Sequence, residues 1–343
     1  MNQKPVFLLK TDAEIVEILA GLGQPKFRVK QIREWLMRGA PDFASMKNLP
    51  ADLRKGLDEQ FVTLPAKIIQ KLTSADKQTT KFLFEMVDGQ KIESVLMRTT
   101  YGNSVCVSSQ AGCAMGCKFC ASGLNGLTRN LTAMEMAAQV LLCNFELYLD
   151  GKGTEVTHVV VMGTGEPLLN LENLKGFVSF LNHDMKISYR RITVSTCGIV
   201  PGILDIRDWN VPVNLAISLH APNDELRDKI MPINSKYKIQ DVMDSGFEYA
   251  AASGRQLMVE YILLGGFNDS VENAGQLSQL LAGKNVMVNI IPWNAVAEHD
   301  FTAASGNAVH RFQDVLIKNG IHARIRKERG ADIGSACGQL RKQ

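Results

Sequence analysis

The hydrophobic pattern of this chain passes through three regimes. Between residues 11 and 22, Ile15, Ile18, Leu19 and Leu22 recur at helical spacing, and Thr11 with Glu14 makes a capping-box pair, so a helix is predicted there, ended by Gly23. Residues 26–38 gather Phe27, Ile32, Trp35 and Leu36 into one apolar stripe, with Lys26, Arg28, Lys30, Arg33 and Arg38 around the rest. A third helix is expected over 49–61, followed by a linker around Thr63-Leu64-Pro65. From Ala66 to Met97 the pattern becomes that of strands, at 67–72, 80–86 and 92–97, with Asp88-Gly89 as a hairpin turn between the last two. Beyond residue 103, strands at 104–108, 158–162, 191–195, 213–219, 257–263 and 286–291 alternate with helical stretches such as 132–145, 173–182, 239–252 and 308–319.

Alternation of this kind implies a parallel sheet. Six such units suit an open barrel. The expected fold is α/β: a partial (βα)6 TIM-like barrel with a small N-terminal helical domain and an antiparallel β extension. The boundaries fall at 1–62, 63–103 and 104–343. Chemistry is then expected at the rim formed by the C-terminal ends of the parallel strands.

Composition narrows the class. The 343 residues are 45% hydrophobic and 21% charged, ordinary for a globular protein, and no apolar run is long enough to span a bilayer. Met1-Asn2-Gln3-Lys4-Pro5 lacks the apolar core of a signal peptide, so a cytoplasmic location is expected. Seven cysteines, an odd number, argue for thiol chemistry rather than a disulfide scaffold. A net charge of +3 permits RNA binding without demanding it. In the 26–38 helix five basic residues face a single acid, Glu34, which makes phosphate contact as good a reading as a solvated face.

The candidate chemistry starts at Cys113, Cys117 and Cys120, in a short glycine-containing loop after the first parallel strand. A closed structural zinc site wants four ligands, and an iron–sulfur cube normally takes four thiolates. Three thiolates leave one iron of a cube open to a small molecule. A zinc knuckle, or cysteines without a ligand, is the plainer alternative. The other strand ends are polar: Gly163-Thr164-Gly165-Glu166-Pro167, Ser195-Thr196, Ser218-Leu219-His220 and Pro292-Trp293-Asn294. One such group reads as a loop cap. Four in phase at successive rims read as a site, where the glycines would let the backbone approach a ligand.

With Gly126-Leu127-Thr128-Arg129-Asn130-Leu131, Met231-Pro232-Ile233-Asn234 and Ala336-Cys337-Gly338-Gln339-Leu340, these motifs resemble the RlmN/Cfr family. Its members are radical S-adenosylmethionine (SAM) enzymes that methylate an adenine ring carbon in RNA. The resemblance runs through most of the chain, the basic helix included. It implies that Cys113, Cys117 and Cys120 hold a [4Fe–4S] cluster, and that Gly165, Glu166, Ser195, Ser218, Leu219, His220 and Asn294 contact SAM. It also implies that Cys337, in a glycine-rich tail expected to be mobile, receives a methyl group. Cys106 would resolve a later intermediate. Glu93 would accept a proton, although by itself it reads as a solvated strand carboxylate. Cys143 reads as a buried small hydrophobe, and no role follows for Cys197.

The implied cycle uses two SAM molecules. Adenine C2 and C8 are electron-poor and cannot attack the SAM methyl, so Cys337 takes it first. A 5′-deoxyadenosyl radical from a second SAM then abstracts hydrogen from the S-methyl group. The carbon radical adds to the ring; loss of an electron and of the ring proton, with Cys106 attacking the Cys337 sulfur, then releases the product and leaves a disulfide to be reduced. Gly-Glu-Pro at 165–167 resembles the C2 branch of the family. The expected substrates are therefore 23S rRNA and, with it, tRNA. C8 methylation of 23S rRNA, conferring antibiotic resistance, is the alternative. The implied partners are an electron donor such as a flavodoxin or ferredoxin system, with no membrane, and the chain is expected to act as a monomer. A radical SAM enzyme on a non-RNA substrate, and a zinc-bound RNA-binding module without catalysis, stay open as other classes.

Overall fold

The first helix, α1 (Asp12–Gly21), begins at the capping box: the Thr11 hydroxyl accepts from the Glu14 amide at 3.2 Å, and the Glu14 carboxylate accepts from the Thr11 amide at 2.7 Å. The structure, a computed structural model, describes residues 4–151, 154–327 and 329–340; residues 1–3 of the N-terminal stretch read above lie outside these. Helix α2 (Arg28–Arg38) ends at Gly39 with φ of 84°. A Cβ there would stand 1.7 Å from the Leu141 carbonyl oxygen, so both the turn and the close approach require glycine. Helix α3 (Ala51–Gln60) completes the group, and Phe7 centres it, edge-on to Phe43 and Phe61. Of the expected apolar stripe on α2, Ile32, Trp35 and Leu36 are buried, but Phe27 is 58% exposed because it stands before the helix, off its inner face. Thr63-Leu64-Pro65 is not a solvent-exposed linker: all three residues are buried, and the Thr63 hydroxyl donates to the Pro41 carbonyl at 2.7 Å.

The antiparallel extension is β1 (Ala66–Thr73), β2 (Thr79–Met86) and β3 (Lys91–Thr99), with Gly89 in the hairpin turn at φ of 86°. Strand β4 (Gly102–Cys106) pairs antiparallel with β3 on one side and starts the parallel series on the other. A separate two-stranded hairpin, β5 (Gln110–Gly112) with β6 (Leu127–Asn130), brackets the cysteine loop. It was not anticipated, because strands this short carry no readable period.

Then come α4 (Ala133–Leu149), β7 (Val156–Val161), α5 (Leu171–His183), β8 (Ile192–Thr196), α6 (Val200–Asp208) and β9 (Asn214–Ser218). They are followed by α7 (Asp224–Ile230), α8 (Ile239–Ser253), β10 (Leu257–Leu263), α9 (Val271–Leu281), β11 (Val286–Pro292), α10 (Gly306–Lys318) and β12 (His322–Ile325). The large sheet runs β1-β2-β3-β4-β7-β8-β9-β10-β11-β12, each strand from β4 onward parallel to the next. This is the expected α/β architecture with one addition. Strand β12 is a further parallel strand after α10, missed because His322-Ala323-Arg324-Ile325 is short and half polar.

The strands form because their sequences are nearly continuous β-branched and aliphatic runs, as sheets covered on their faces require. Val159, Val194, Ala216, Ile217, Val259, Val288 and Ile290 are all fully buried. Parallel strands put their C-terminal ends on one rim, where the cysteine loop also lies. Among the described residues, no helix is long and apolar enough to cross a membrane.

Candidate active site

The cysteine loop is closed at its base by β5 and β6. The Cys113 amide donates to the Gly126 carbonyl at 3.1 Å, and a Cβ on Gly112 would stand 1.9 Å from that same oxygen. The far side is tied to the rim: the Lys118 amide donates to the Ile230 carbonyl at 2.9 Å, and the Trp293 indole donates to the Phe119 carbonyl at 3.2 Å. Cys113, Cys117 and Cys120 line one cleft of about 870 Å³, counted out to its open mouth, together with Gly165, Glu166, Ser195, Ser218 and His220. That size suits an organic cofactor.

Burial pushes the Cys113 thiol up to about 11, and raises Cys117 and Cys120 as well, with neighbouring thiols adding to the rise in each. The protein alone therefore does not favour three thiolates here; a cationic centre between them would. Among the described residues no trio of His, Cys, Asp or Glu side chains is gathered to hold a single metal ion. The donor set, three cysteines of one loop lining one cleft, fits a [4Fe–4S] cube with one iron open, whereas a closed structural zinc site takes four ligands.

Each rim residue has a local reason for its position. Gly163 and Gly165 are needed because the end of β7 packs on the chain after β4, not only for a ligand. A Cβ on Gly163 would meet the Ser108 hydroxyl at 2.6 Å, and one on Gly165, at φ of 112°, would meet the Gln110 Cβ at 2.6 Å. Glu166 is buried. Its two carboxylate oxygens accept from the Leu168 amide at 3.0 Å and the Cys197 amide at 2.8 Å. Burial raises its pKa, and these hydrogen bonds oppose the rise. The Ser195 and Ser218 hydroxyls stand 3.4 Å apart in the cleft.

His220 sits at φ of 60°, and its Nδ1 accepts from the Ile262 amide at 3.1 Å. Its ring lies edge-on to Phe119 at 4.8 Å. Burial, and then the Arg227 charge, lowers its pKa to about 3, so the ring is neutral. Two expected residues stand apart from the cleft. Leu219 is fully buried and only its backbone belongs to the rim, while Asn294 donates to the Cys337 carbonyl at 3.5 Å and lines a side cavity beside the tail.

Arg227 was missed. It is fully buried on α7, and its guanidinium donates to the Cys197 carbonyl at 2.6 Å, the Leu219 carbonyl at 3.1 Å, the Ser218 carbonyl at 3.3 Å and the Asn234 side chain at 2.8 Å. It ties the end of β8 to the end of β9. The faint signal was an arginine between apolar Leu226 and Ile230 just before Met231-Pro232-Ile233-Asn234. Arg326 was missed as well. It donates to Glu260 at 3.5 Å and lines both the cofactor cleft and the adjoining thiol cavity.

The thiol cavity, of about 490 Å³, brings together Cys106 from the end of β4, Cys120 from the cysteine loop and Cys337 from the tail. All seven cysteines are free, so no disulfide joins Cys106 to Cys337 in the structure. Burial, and then the nearby Cys337, pushes the Cys106 thiol up to about 12, with Arg326 opposing. The tail is not the loose segment its glycines suggested. Asp332 accepts from the Ala75 amide at 2.9 Å, Lys81 donates to the Gly334 carbonyl at 3.1 Å, the Ala121 amide donates to the Gly338 carbonyl at 2.8 Å, and the Ser122 hydroxyl donates to the Leu340 carbonyl at 2.6 Å.

Glu93 is likewise not solvated: it is 1% exposed and pairs with the Lys81 ammonium at 3.1 Å. By strand alternation it shares a face of β3 with Val95 and Met97, which line the thiol cavity. The basic helix also departs from its reading. Arg33 pairs with Asp12 at 2.8 Å and bonds the Leu8 and Lys10 carbonyls, Arg28 donates to Gln31 at 2.7 Å, and Arg38 lies over the Trp35 and Tyr148 rings. Lys26, Phe27 and Lys30 stay exposed.

Residues 8–63 match the family model described as "Ribosomal RNA large subunit methyltransferase N-terminal domain", and residues 107–277 match the Radical SAM superfamily. A protein of Bacillus subtilis (strain 168), named as a probable dual-specificity RNA methyltransferase RlmN, is 46% identical over 96% of this chain and 90% of its own length. A Carboxydothermus hydrogenoformans protein of the same name is 43% identical over 98% of this chain and 97% of its own. The crystal structure of a radical SAM methyltransferase from Sphaerobacter thermophilus superimposes with a TM-score of 0.88 at 42% identity, covering 98% of this chain and 99% of that one. Likeness at this level over nearly the whole chain makes the protein a member of the RlmN family of radical SAM RNA methyltransferases.

Proposed function

We propose that the enzyme methylates C2 of an adenine in 23S rRNA and in tRNA, with Cys337 as the carrier of the new carbon. The observation that carries this reading is the meeting of Cys106, Cys337 and Cys120, from three distant parts of the chain, in one cavity. Cys113, Cys117 and Cys120 hold the cluster. Gly165, Glu166, Ser195, Ser218 and His220, the backbone of Leu219, and Asn294 at the tail surround SAM. When bound, these groups supply a methyl group and a hydrogen-abstracting radical.

The residues then divide the work. Adenine C2 is electron-poor, so the carbon reaches it through a nucleophile of the protein. Cys337 takes the methyl carbon as a thioether and holds it against the base. Glu93 takes the ring proton, with Lys81 at 3.1 Å as its counter-charge. Once the ring adduct has given up one electron to the electron-transfer partner, the Cys106 thiolate attacks the Cys337 sulfur, the carbon–sulfur bond breaks toward carbon, that carbon takes up a proton to become the methyl group, and a disulfide forms between the two residues. An external reductant, and an electron donor of the flavodoxin or ferredoxin type, resets the enzyme. The division into 1–62, 63–103 and 104–343 is functional in this reading: the first segment contacts RNA, and the last carries the chemistry in a cytoplasmic monomer.

Two measurements test the proposal. Mass spectrometry of adenosine from treated rRNA should find the 2-methyl and not the 8-methyl product. Cys106→Ala should accumulate a protein–RNA adduct that survives denaturation, and Cys337→Ala should not. Normal turnover of Cys106→Ala without adduct would overturn the thiol pairing.

A further inference from the structure

Beneath the cofactor cleft lies a second cavity, of about 980 Å³ counted to its mouth. Its walls are the inward-facing residues of the open barrel, among them Ser104, Thr193, Glu260 and Asn289, with Tyr101 from the β3–β4 turn and Arg324, Arg326, Lys327 and Arg329 from β12 and the chain after it. It shares Met162, Glu260 and Arg326 with the cofactor cleft, so the two spaces adjoin. It opens at the seam of the barrel, since β12 is the last strand of the sheet and has β11 as its strand neighbour.

Among the described residues, four cations and one carboxylate line this cavity. That carboxylate, Glu260, is buried and already accepts from Asn289 at 2.6 Å and Arg326 at 3.5 Å. Arg324 is exposed and is held through Nε by the Asn289 side-chain oxygen at 2.6 Å. Its two terminal nitrogens make no hydrogen bond among the described residues. Lys327 is exposed too, and Arg329 donates to the Gln78 side chain at 3.1 Å. Asp76 is an acid near Lys327 and Arg329, and it already accepts from the Ser74 hydroxyl and the Gln78 amide.

Two further observations identify what the seam takes. Lys327 and Arg329 line one small cavity with Cys337, of about 450 Å³. A base seated at Cys337 would therefore carry its phosphate toward the cavity that these cations line. Tyr101, at the lip, is 70% exposed, an aromatic surface beside a cationic groove. Cations that track a backbone and an aromatic face that stacks a base are the two elements of single-strand recognition.

We infer that this seam binds the unpaired RNA strand on either side of the target adenine, with Lys327, Arg329 and Arg324 on successive phosphates and Tyr101 stacked on a neighbouring base. The inference rests on the function proposed above and goes beyond it by assigning strand recognition to the barrel itself, apart from the N-terminal helices.

The test uses the full-length, cluster-reconstituted enzyme under anaerobic conditions, with an RNA hairpin carrying adenines in its loop and a fully paired duplex as comparison. Lys327→Gln with Arg329→Gln should flatten the dependence of log affinity on log salt by about 1.4, at roughly 0.7 for each single-strand phosphate no longer neutralised. Lys327→Gln alone, an exposed change, should flatten it by about 0.7. Lys327→Arg with Arg329→Lys should keep the wild-type slope, because the slope counts charge rather than shape, and a flattened slope in this charge-preserving pair would overturn the seam. Tyr101→Ala should weaken hairpin binding about ten-fold and leave duplex binding unchanged, while Tyr101→Phe restores it. If the wild-type enzyme methylates RNA but the neutralised variants keep its affinity and slope, the seam is overturned and the functional reading stands. If the wild-type enzyme methylates no RNA, both fall.

Discussion

The rim of the barrel and the N-terminal helical region both set polar side chains on an apolar scaffold, but they hold them differently. At the rim the polar groups are buried and each has a fixed partner: Glu166 on two amides, His220 on the Ile262 amide, Arg227 on three carbonyls and Asn234. On α2, Arg28 and Arg33 are half-buried, Arg38 is exposed beside two rings and Lys30 faces water, so the cations keep contact with solvent even where they have partners. Both places use charged and polar side chains, and their access to water is opposite. A buried polar group that loses its partner bears the full cost of desolvation, whereas an exposed one recovers it from water. Changes at the rim should therefore be large and specific, and changes on α2 small and salt-dependent.

The largest effect should come from the cysteine loop. Alanine at Cys113, Cys117 or Cys120 should remove iron and abolish deoxyadenosine release from SAM. Two thiolates cannot hold a cube and leave one iron free for a ligand. Near-normal iron content with SAM cleavage in any one variant would break the assignment.

Arg227→Met comes next. It strands the Cys197 and Leu219 carbonyls and the Asn234 side chain in the interior, and should cost about 3 kcal/mol or more in chemical denaturation. Arg33→Met, which removes a pair with Asp12 that is 72% exposed on the aspartate side, should cost less than about 1 kcal/mol. Equal losses at the two sites would erase the comparison.

His220 sharpens it through pH. Its folded pKa of about 3 lies below the ordinary 6.5, so the unfolded chain binds the proton more tightly. The stability due to the neutral ring is complete above pH 6.5 and is lost as pH falls toward 3, at up to about 1.4 kcal/mol per unit, or roughly 2 kcal/mol by pH 5. His220→Gln, whose side-chain oxygen can still accept from the Ile262 amide, should flatten that slope. An acid profile unchanged in the variant would remove His220 as its source.

The smallest effect belongs to α2. Neutralising Lys26 and Lys30 should shift RNA affinity modestly and flatten its salt dependence, while neutralising Arg33 should leave both in place. The reverse result would mean that Arg33 leaves Asp12 to bind RNA.

Much of the architecture was readable because periodicity is local. The capping box at Thr11 and Glu14, the Asp88-Gly89 turn and the apolar strands from 158 to 291 each declare themselves within a few residues. Strand β12 and the β5–β6 hairpin were not readable, since three or four residues cannot establish a period. The sequence alone determined the cysteine loop, because its spacing is covalent, and the polar rim, because parallel strands must end on one side.

Only the tertiary structure decided what those groups meet. It buried Glu93 against Lys81, turned Arg227 inward to join two strand ends, engaged Arg33 with Asp12, and brought Cys337 beside Cys106 and Cys120. None of these contacts is local in the chain. Each depends on the order of strands in the sheet and on which side chains lose their water, and a pattern read along the sequence carries neither.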